Sequence, residues 1–152
     1  MNRTRIAQIV PKVAGEAFND HYYVSPIDVL LGIGMLKPED IQNWRNRKIP
    51  YLEKVVTGNL NKISYVMLCF RKWAKQSKLT PSITVYTTKT RGGRKPLRFS
   101  KYGNPNVETS YRTHYINPLI AEKKKQMLKE QLPQSVETNA TEIEQDIPMM
   151  IK

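Results

Sequence analysis

The chain is poor in the groups on which most enzymes and secreted proteins rely. It has one cysteine, Cys69, among 152 residues, so no intramolecular disulfide can form and nothing points to an oxidising compartment. Histidine is almost as scarce, with only His21 and His114. Two histidines and one cysteine do not supply the four spaced ligands of a structural zinc site. No Gly-x-Gly-x-x-Gly, Walker loop or Gly-x-Ser-x-Gly occurs either, which removes the common nucleotide and nucleophile-elbow signatures. The expectation is no metal, no cofactor and no enzymatic activity. Long apolar runs are absent as well. The most apolar stretch, residues 29–36, is flanked by Asp28 and Lys37 and falls far short of the ~20 residues that span a bilayer. The opening MNRTRIAQIVPKVAG lacks the run of about 7–15 apolar residues of a secretory signal. A cytoplasmic protein without a membrane partner follows.

The most informative absence is of negative charge. Between Glu53 and Glu108 there is no acidic residue. The same stretch holds Lys54, Lys62, Arg71, Lys72, Lys75, Lys78, Lys89, Arg91, Arg94, Lys95, Arg98 and Lys101. Those twelve charges equal the formal net charge of the whole chain, +12. The end of the chain runs the other way, with Glu137, Glu142, Glu144 and Asp146 against Lys152. A solvated face normally mixes both signs. An acid-free stretch of this length repels itself in the folded state, and an anionic partner relieves that repulsion.

What is present is enough for one core. Apolar residues make up 39%, below the roughly 45–50% of typical domains. Residues 1–22 are poorly patterned, with Pro11 interrupting the stripe of Ile6, Ile9, Val10 and Val13, so only a short helix over about 13–19 is expected. Ser25-Pro26-Ile27-Asp28 is a helix start, with a capping serine, a proline at the first helical position and an acid in the first turn. Gly34 ends that helix, and Pro38-Glu39-Asp40 opens another that reaches about Lys48. Leu60, Ile63, Met67, Phe70 and Ala74 recur at helical spacing, so the clearest helix covers 59–78. Cys69 lies on it as a buried filler. Residues 83–89, ITVYTTK, are dense in β-branched and aromatic types and read as a strand. Arg91-Gly92-Gly93-Arg94 is the turn of a hairpin whose return strand covers 94–99. Residues 107–116 fit either a helix or a strand. A last helix is expected over 119–131, and the acidic, aromatic-poor stretch from 133 to 152 reads as disordered. That tail is either an inert solubilising end or a segment that folds back over the basic surface.

The hairpin carries the sharpest chemistry. Lys89, Arg91, Arg94, Lys95 and Arg98 gather around a Gly-Gly turn, where small residues let the backbone approach phosphate and arginine forks bind its oxygens. A β-ribbon also fits a nucleic-acid groove, where arginine reads guanine edges. The plainer reading is a hairpin whose charges discourage edge-to-edge pairing. Aromatic residues interleave with the charge, and Tyr86 and Tyr102 are the rings expected at the surface. The run Tyr111-Arg112-Thr113-His114-Tyr115 invites a phosphoryl-transfer reading, but the basic half offers few carboxylates to hold a metal.

The order of two short helices, a longer helix and a basic hairpin resembles a winged helix-turn-helix domain over about residues 25–100. The segments SPIDVLLGIG, DIQNWR, PYLEKVV, PLRFSKYGNP and RTHY also resemble small basic bacterial proteins without an assigned function, and that resemblance supplies no catalytic residue. Together these readings describe a mostly helical α+β protein, a helical bundle followed by a basic β-hairpin and a C-terminal helix. Residues 1–22 precede a single basic domain at 23–132, and 133–152 form the tail. The expected function is noncatalytic nucleic-acid binding, with DNA ahead of RNA by a small margin. Arg71, Lys72, Lys75, Lys78, Lys89, Arg91, Arg94, Lys95, Arg98 and Lys101 would make the contacts. The alternatives are an interaction module for an acidic protein and a small nuclease or recombinase component.

Overall fold

The weakly patterned amino-terminal residues form the longest helix of the described residues. The computed structural model describes residues 1–119, and within them α1 spans Arg3–His21. The Asn2 side chain caps it, accepting from the Arg5 N–H at 2.9 Å. Pro11 lies inside this helix, which corrects the expectation of a short one at 13–19. The reason is tertiary. Ile6, Val10 and Ala14 recur every four residues and are fully buried, and α1 packs along α4. Burial of that stripe outweighs the backbone bond that proline removes.

The next two helices start where their sequence signals predict. In α2, Pro26–Gly32, Ser25 and Asp28 form a reciprocal capping box: the Asp28 N–H donates to Ser25 Oγ (3.1 Å) and the Ser25 N–H donates to Asp28 Oδ2 (3.0 Å). Gly34 follows at φ +83°, a conformation that favours glycine. In α3, Pro38–Arg45, Ile41 and Trp44 are buried. This helix stops short of Lys48. A 3-10 turn at Leu52–Lys54 then leads to α4, Leu60–Gln76, capped by Asn59. Its buried stripe is Ile63, Val66, Met67, Phe70 and Ala74. Leu60, expected in that stripe, is 66% exposed, and Val66 takes its share of the core. Cys69 is half-buried.

The segment expected as one strand is divided. Its first part belongs to β2, Thr80–Ile83, and its last to β3, Thr87–Thr90. Between them the Thr84 N–H donates to the Arg112 carbonyl (2.8 Å) and Tyr86 turns into the core. Residues 107–116 are both of their alternatives in succession, a helix α5 at Pro105–Arg112 and a strand β5 at Thr113–Ile116. With β1, Tyr23–Val24, they complete an antiparallel sheet of order β1-β5-β2. Strand β4, Gly93–Pro96, pairs with β3 alone. The architecture is thus mostly helical α+β with a separate hairpin. The helix expected over 119–131 runs past the described residues, and the acidic tail lies outside them. No helix of the described residues is long and apolar enough to cross a membrane.

An aromatic cluster closes the core beneath the hairpin. The Phe99 ring lies 4.9 Å from Trp44, 5.2 Å from Tyr86 and 5.0 Å from Tyr111, centre to centre. Beside it, Glu108 is only 4% exposed. Its carboxylate accepts from the Phe99 N–H (3.0 Å), the Ser100 N–H (2.7 Å) and the Ser100 hydroxyl (2.6 Å). Replacing it leaves two buried backbone donors without partners. Glu108→Ala is therefore expected to lower the unfolding free energy by about 3 kcal/mol, read from urea denaturation. A loss under about 1 kcal/mol would mean that water substitutes for the carboxylate.

Candidate nucleic-acid interface

The turn of the hairpin follows from its two glycines. Thr90 pairs with Gly93, leaving Arg91 and Gly92 as the connection. Gly93 takes φ +108°, where a side chain would be strained. Lys89 pairs directly with Arg94, and Thr88 with Lys95. Side chains alternate along a strand, so Lys89 and Arg94 share one face, where Arg94 Nε donates to Thr87 Oγ1 at 2.8 Å. The other face is moored to the protein, because the Thr88 hydroxyl donates to the Arg45 carbonyl at 2.7 Å. At the root, the Leu97 N–H donates to the Tyr86 carbonyl (2.8 Å). Lys89, Arg91, Arg94 and Lys95 are all exposed.

The remaining sequence candidates fall into two further groups. Arg98 and Lys101 follow the hairpin, each beside a ring: the Arg98 guanidinium lies 5.8 Å from the centre of Tyr51, and Lys101 Nζ 5.3 Å from that of Tyr102. Tyr102 is 86% exposed, as expected, whereas Tyr86 is 7% exposed and belongs to the core. On α4, Arg71, Lys72 and Lys75 are exposed, and Lys78 follows just beyond its end at φ +56°. Arg71, Lys72 and Lys75 rim a groove of about 440 Å³ lined by Leu68, Leu79, Pro81 and Tyr115. The acid-free stretch thus builds a ribbon, a short aromatic-flanked turn and a helix edge.

Three of the few carboxylates are engaged elsewhere. Residues 1–119 hold 20 Lys and Arg but 7 Asp and Glu. Asp28 serves the α2 cap, Glu108 holds the backbone at Phe99 and Ser100, and Glu53 accepts from the Tyr111 hydroxyl at 2.7 Å. Among the described residues the one ion pair within 4.0 Å joins Arg112 to Glu108, at 3.8 Å. None of the ten candidate cations has a carboxylate partner there. Edge protection accounts for charge on a hairpin, but not for a basic edge on α4. No family model, curated protein or solved structure matches the chain.

The run from Tyr111 to Tyr115 does not converge on one point. Tyr111 reaches Glu53, Arg112 reaches Glu108, and His114 Nε2 lies 2.6 Å from the Tyr86 hydroxyl. His114 is 3% exposed and its ring stacks on Tyr23 at 5.7 Å. The described residues contain no group of three or more His, Cys, Asp or Glu side chains able to hold a metal ion. The Tyr86 and His114 pair lies instead against a cleft of about 370 Å³ between α2, α3 and β5. Gln42 and Arg45 also line it, and the Arg45 guanidinium sits 5.7 Å from the Tyr86 ring centre. Neither Gln42 nor Arg45 stands out in the sequence, because both lie on a short helix with an ordinary polar face.

Burial pushes the phenols of Tyr23 and Tyr86 well above their ordinary range, with the Asp28 charge adding to the effect and Arg45 opposing it. Burial does the same to Tyr111, helped by its bond to Glu53. Unfolded tyrosines lose their protons near pH ~10, while these keep theirs when folded. The stability they contribute is therefore complete below pH ~10 and declines as pH rises above it. Urea midpoints measured from pH 8 to 11.5 should be level at first and then fall, and a flat profile would contradict the burial. The paired charges of Lys89 and Arg94 repel each other across the ribbon. Lys89→Thr should raise the urea midpoint at low salt, and the gain should vanish at 1 M salt, where screening is strong.

Proposed function

We propose that this protein is a noncatalytic nucleic-acid-binding protein that holds the phosphate backbone with the hairpin, the Arg98 to Lys101 turn and the basic edge of α4. The observation that carries this reading is the set of ten exposed Lys and Arg side chains with no carboxylate partner among the described residues. Surface cations not already paired with carboxylates are available to neutralise phosphates and release their counterions. Three of the arginines, Arg91, Arg94 and Arg98, have the bidentate geometry suited to guanine edges. The phosphate contacts would set position, and these arginines would supply whatever base reading there is. The element order α2, α3, α4, then hairpin, favours duplex DNA, through the likeness to a winged helix. A cytoplasmic setting suits a chain with one unpaired cysteine.

A second reading has an observation of its own. Leu60, 66% exposed, lies with Tyr102 and Val107 along an open groove of about 780 Å³ that also includes Lys101 and Glu53, the latter bonded to the Tyr111 hydroxyl. An apolar floor beside a lysine suits an acidic protein segment.

Fluorescence anisotropy separates the two. Labelled duplex DNA, single-stranded DNA, and duplex and hairpin RNA are titrated at 50 to 200 mM salt. An interface neutralising ~6 phosphates of duplex DNA loses about a thousandfold in affinity over that range. Alanines at Arg91, Arg94, Lys95 and Arg98 should weaken binding and flatten the slope. No binding of any of the four at 50 mM would end the nucleic-acid reading and leave the acidic-protein partner.

A further inference from the structure

The cleft between α2, α3 and β5 has features that a surface gripping only phosphates does not need. Its walls include Ile27, Leu31 and Ile41, its floor the bonded Tyr86 and His114, and Gln42 and Arg45 complete it. At about 370 Å³ it lies near the lower end of the ~300–1,000 Å³ of small-molecule sites. That volume admits one ring system with its sugar. Apolar walls with a few convergent polar groups are the lining such sites use.

The cleft adjoins the root of the hairpin. Strand β3 begins at Thr87, immediately after Tyr86 of the cleft floor. One residue on, the Thr88 hydroxyl is bonded to the carbonyl of Arg45, the residue whose guanidinium lies over the Tyr86 ring. A strand that follows the Thr88 and Lys95 face of the ribbon to its root would meet a slot of nucleotide size. We propose that this cleft receives one unpaired nucleobase of the bound nucleic acid, with Gln42 meeting the base edge and Arg45 the adjoining phosphate. The inference rests on the nucleic-acid reading and gives it a ligand. The Gln42 amide offers a donor and an acceptor together, the pattern that a base edge pairs with. The Arg45 fork matches phosphate oxygens. Unpaired bases that leave the stack are commonly held by proteins in this manner, between apolar and aromatic groups with polar contacts at their edges.

The test compares two duplexes that differ at one position, in whichever polymer binds in the anisotropy titration. One carries an unpaired 2-aminopurine opposite an abasic site, and the other is abasic on both strands there. The full chain should bind the first about tenfold more tightly, with a change in 2-aminopurine fluorescence. Gln42→Ala should bring the ratio near one, and because Gln42 is exposed its fold is checked by thermal melting. Adenosine and cytidine monophosphates form a separate arm. If either free nucleotide binds the cleft as tightly as the first duplex, the occupant is a soluble nucleotide and the strand-borne base is wrong. Equal affinity for the two duplexes overturns the cleft while leaving the basic surface intact. Failure to bind any nucleic acid overturns both.

Discussion

The buried carboxylate of Glu108 decides where the basic ribbon is rooted. It takes the Phe99 and Ser100 amides and the Ser100 hydroxyl, so the chain leaving the hairpin has a fixed path. The carbonyls of the same segment are taken from the other side. Arg98 oxygen accepts from Trp44 Nε1 (2.8 Å) and the Leu52 N–H (3.2 Å), and Phe99 oxygen from the Glu53 N–H (2.9 Å). With its backbone satisfied, this segment can be buried without orphaned polar groups. Phe99 then fills the space between Trp44, Tyr86 and Tyr111. Arg98 lies between the buried Leu97 and Phe99 and remains at the surface, as strand-like alternation dictates. The rigid root gives an otherwise marginal two-stranded ribbon a defined direction.

The same economy of acids explains the surface. A carboxylate buried in backbone amides cannot neutralise an exposed lysine, and three of the seven acids of residues 1–119 are engaged with capping, backbone or hydroxyl groups. Fold formation therefore takes these three away from the charges that could offset the exposed Lys and Arg. The resulting repulsion is a standing destabilisation. One local instance is the Lys89 and Arg94 pair, placed face to face by the ribbon register.

Local signals in the sequence carried far. The Ser25 and Asp28 box, the prolines opening α2 and α3, the α4 periodicity and the Gly-Gly turn each depend on residues within one or two turns of chain, and each is found in the fold. Long-range partners were not legible in the same way. Nothing near Pro11 tells that Ile6, Val10 and Ala14 have α4 to pack against, and nothing near Thr84 tells that Arg112 will accept its amide. That one bond separates β2 from β3 and sends Tyr86 inward. The two-way pattern of residues 107–116 was a true reading of both halves, since Glu108 and Tyr111 bury one face of a helix before His114 takes a strand position. The ten basic residues were visible because charge composition needs no fold. Gln42 and Arg45 were not, because what distinguishes them is a cleft made by elements more than forty residues apart in sequence.

Arg45 joins the two surfaces. Its carbonyl moors the ribbon through Thr88, and its guanidinium covers Tyr86, whose hydroxyl meets His114 on the central strand β5. A group that enters the cleft and moves this arginine acts on the residue that anchors the hairpin. Conversely, on the proposed reading a phosphate reaching the root of the ribbon would meet a guanidinium that already lies against an aromatic ring, and less side-chain freedom would be lost when it binds. Positioning by charge and recognition by shape would then share one residue. A mixed surface of this kind would discriminate among nucleic acids by whether a base is free to leave its stack, which phosphate contacts alone do not sense.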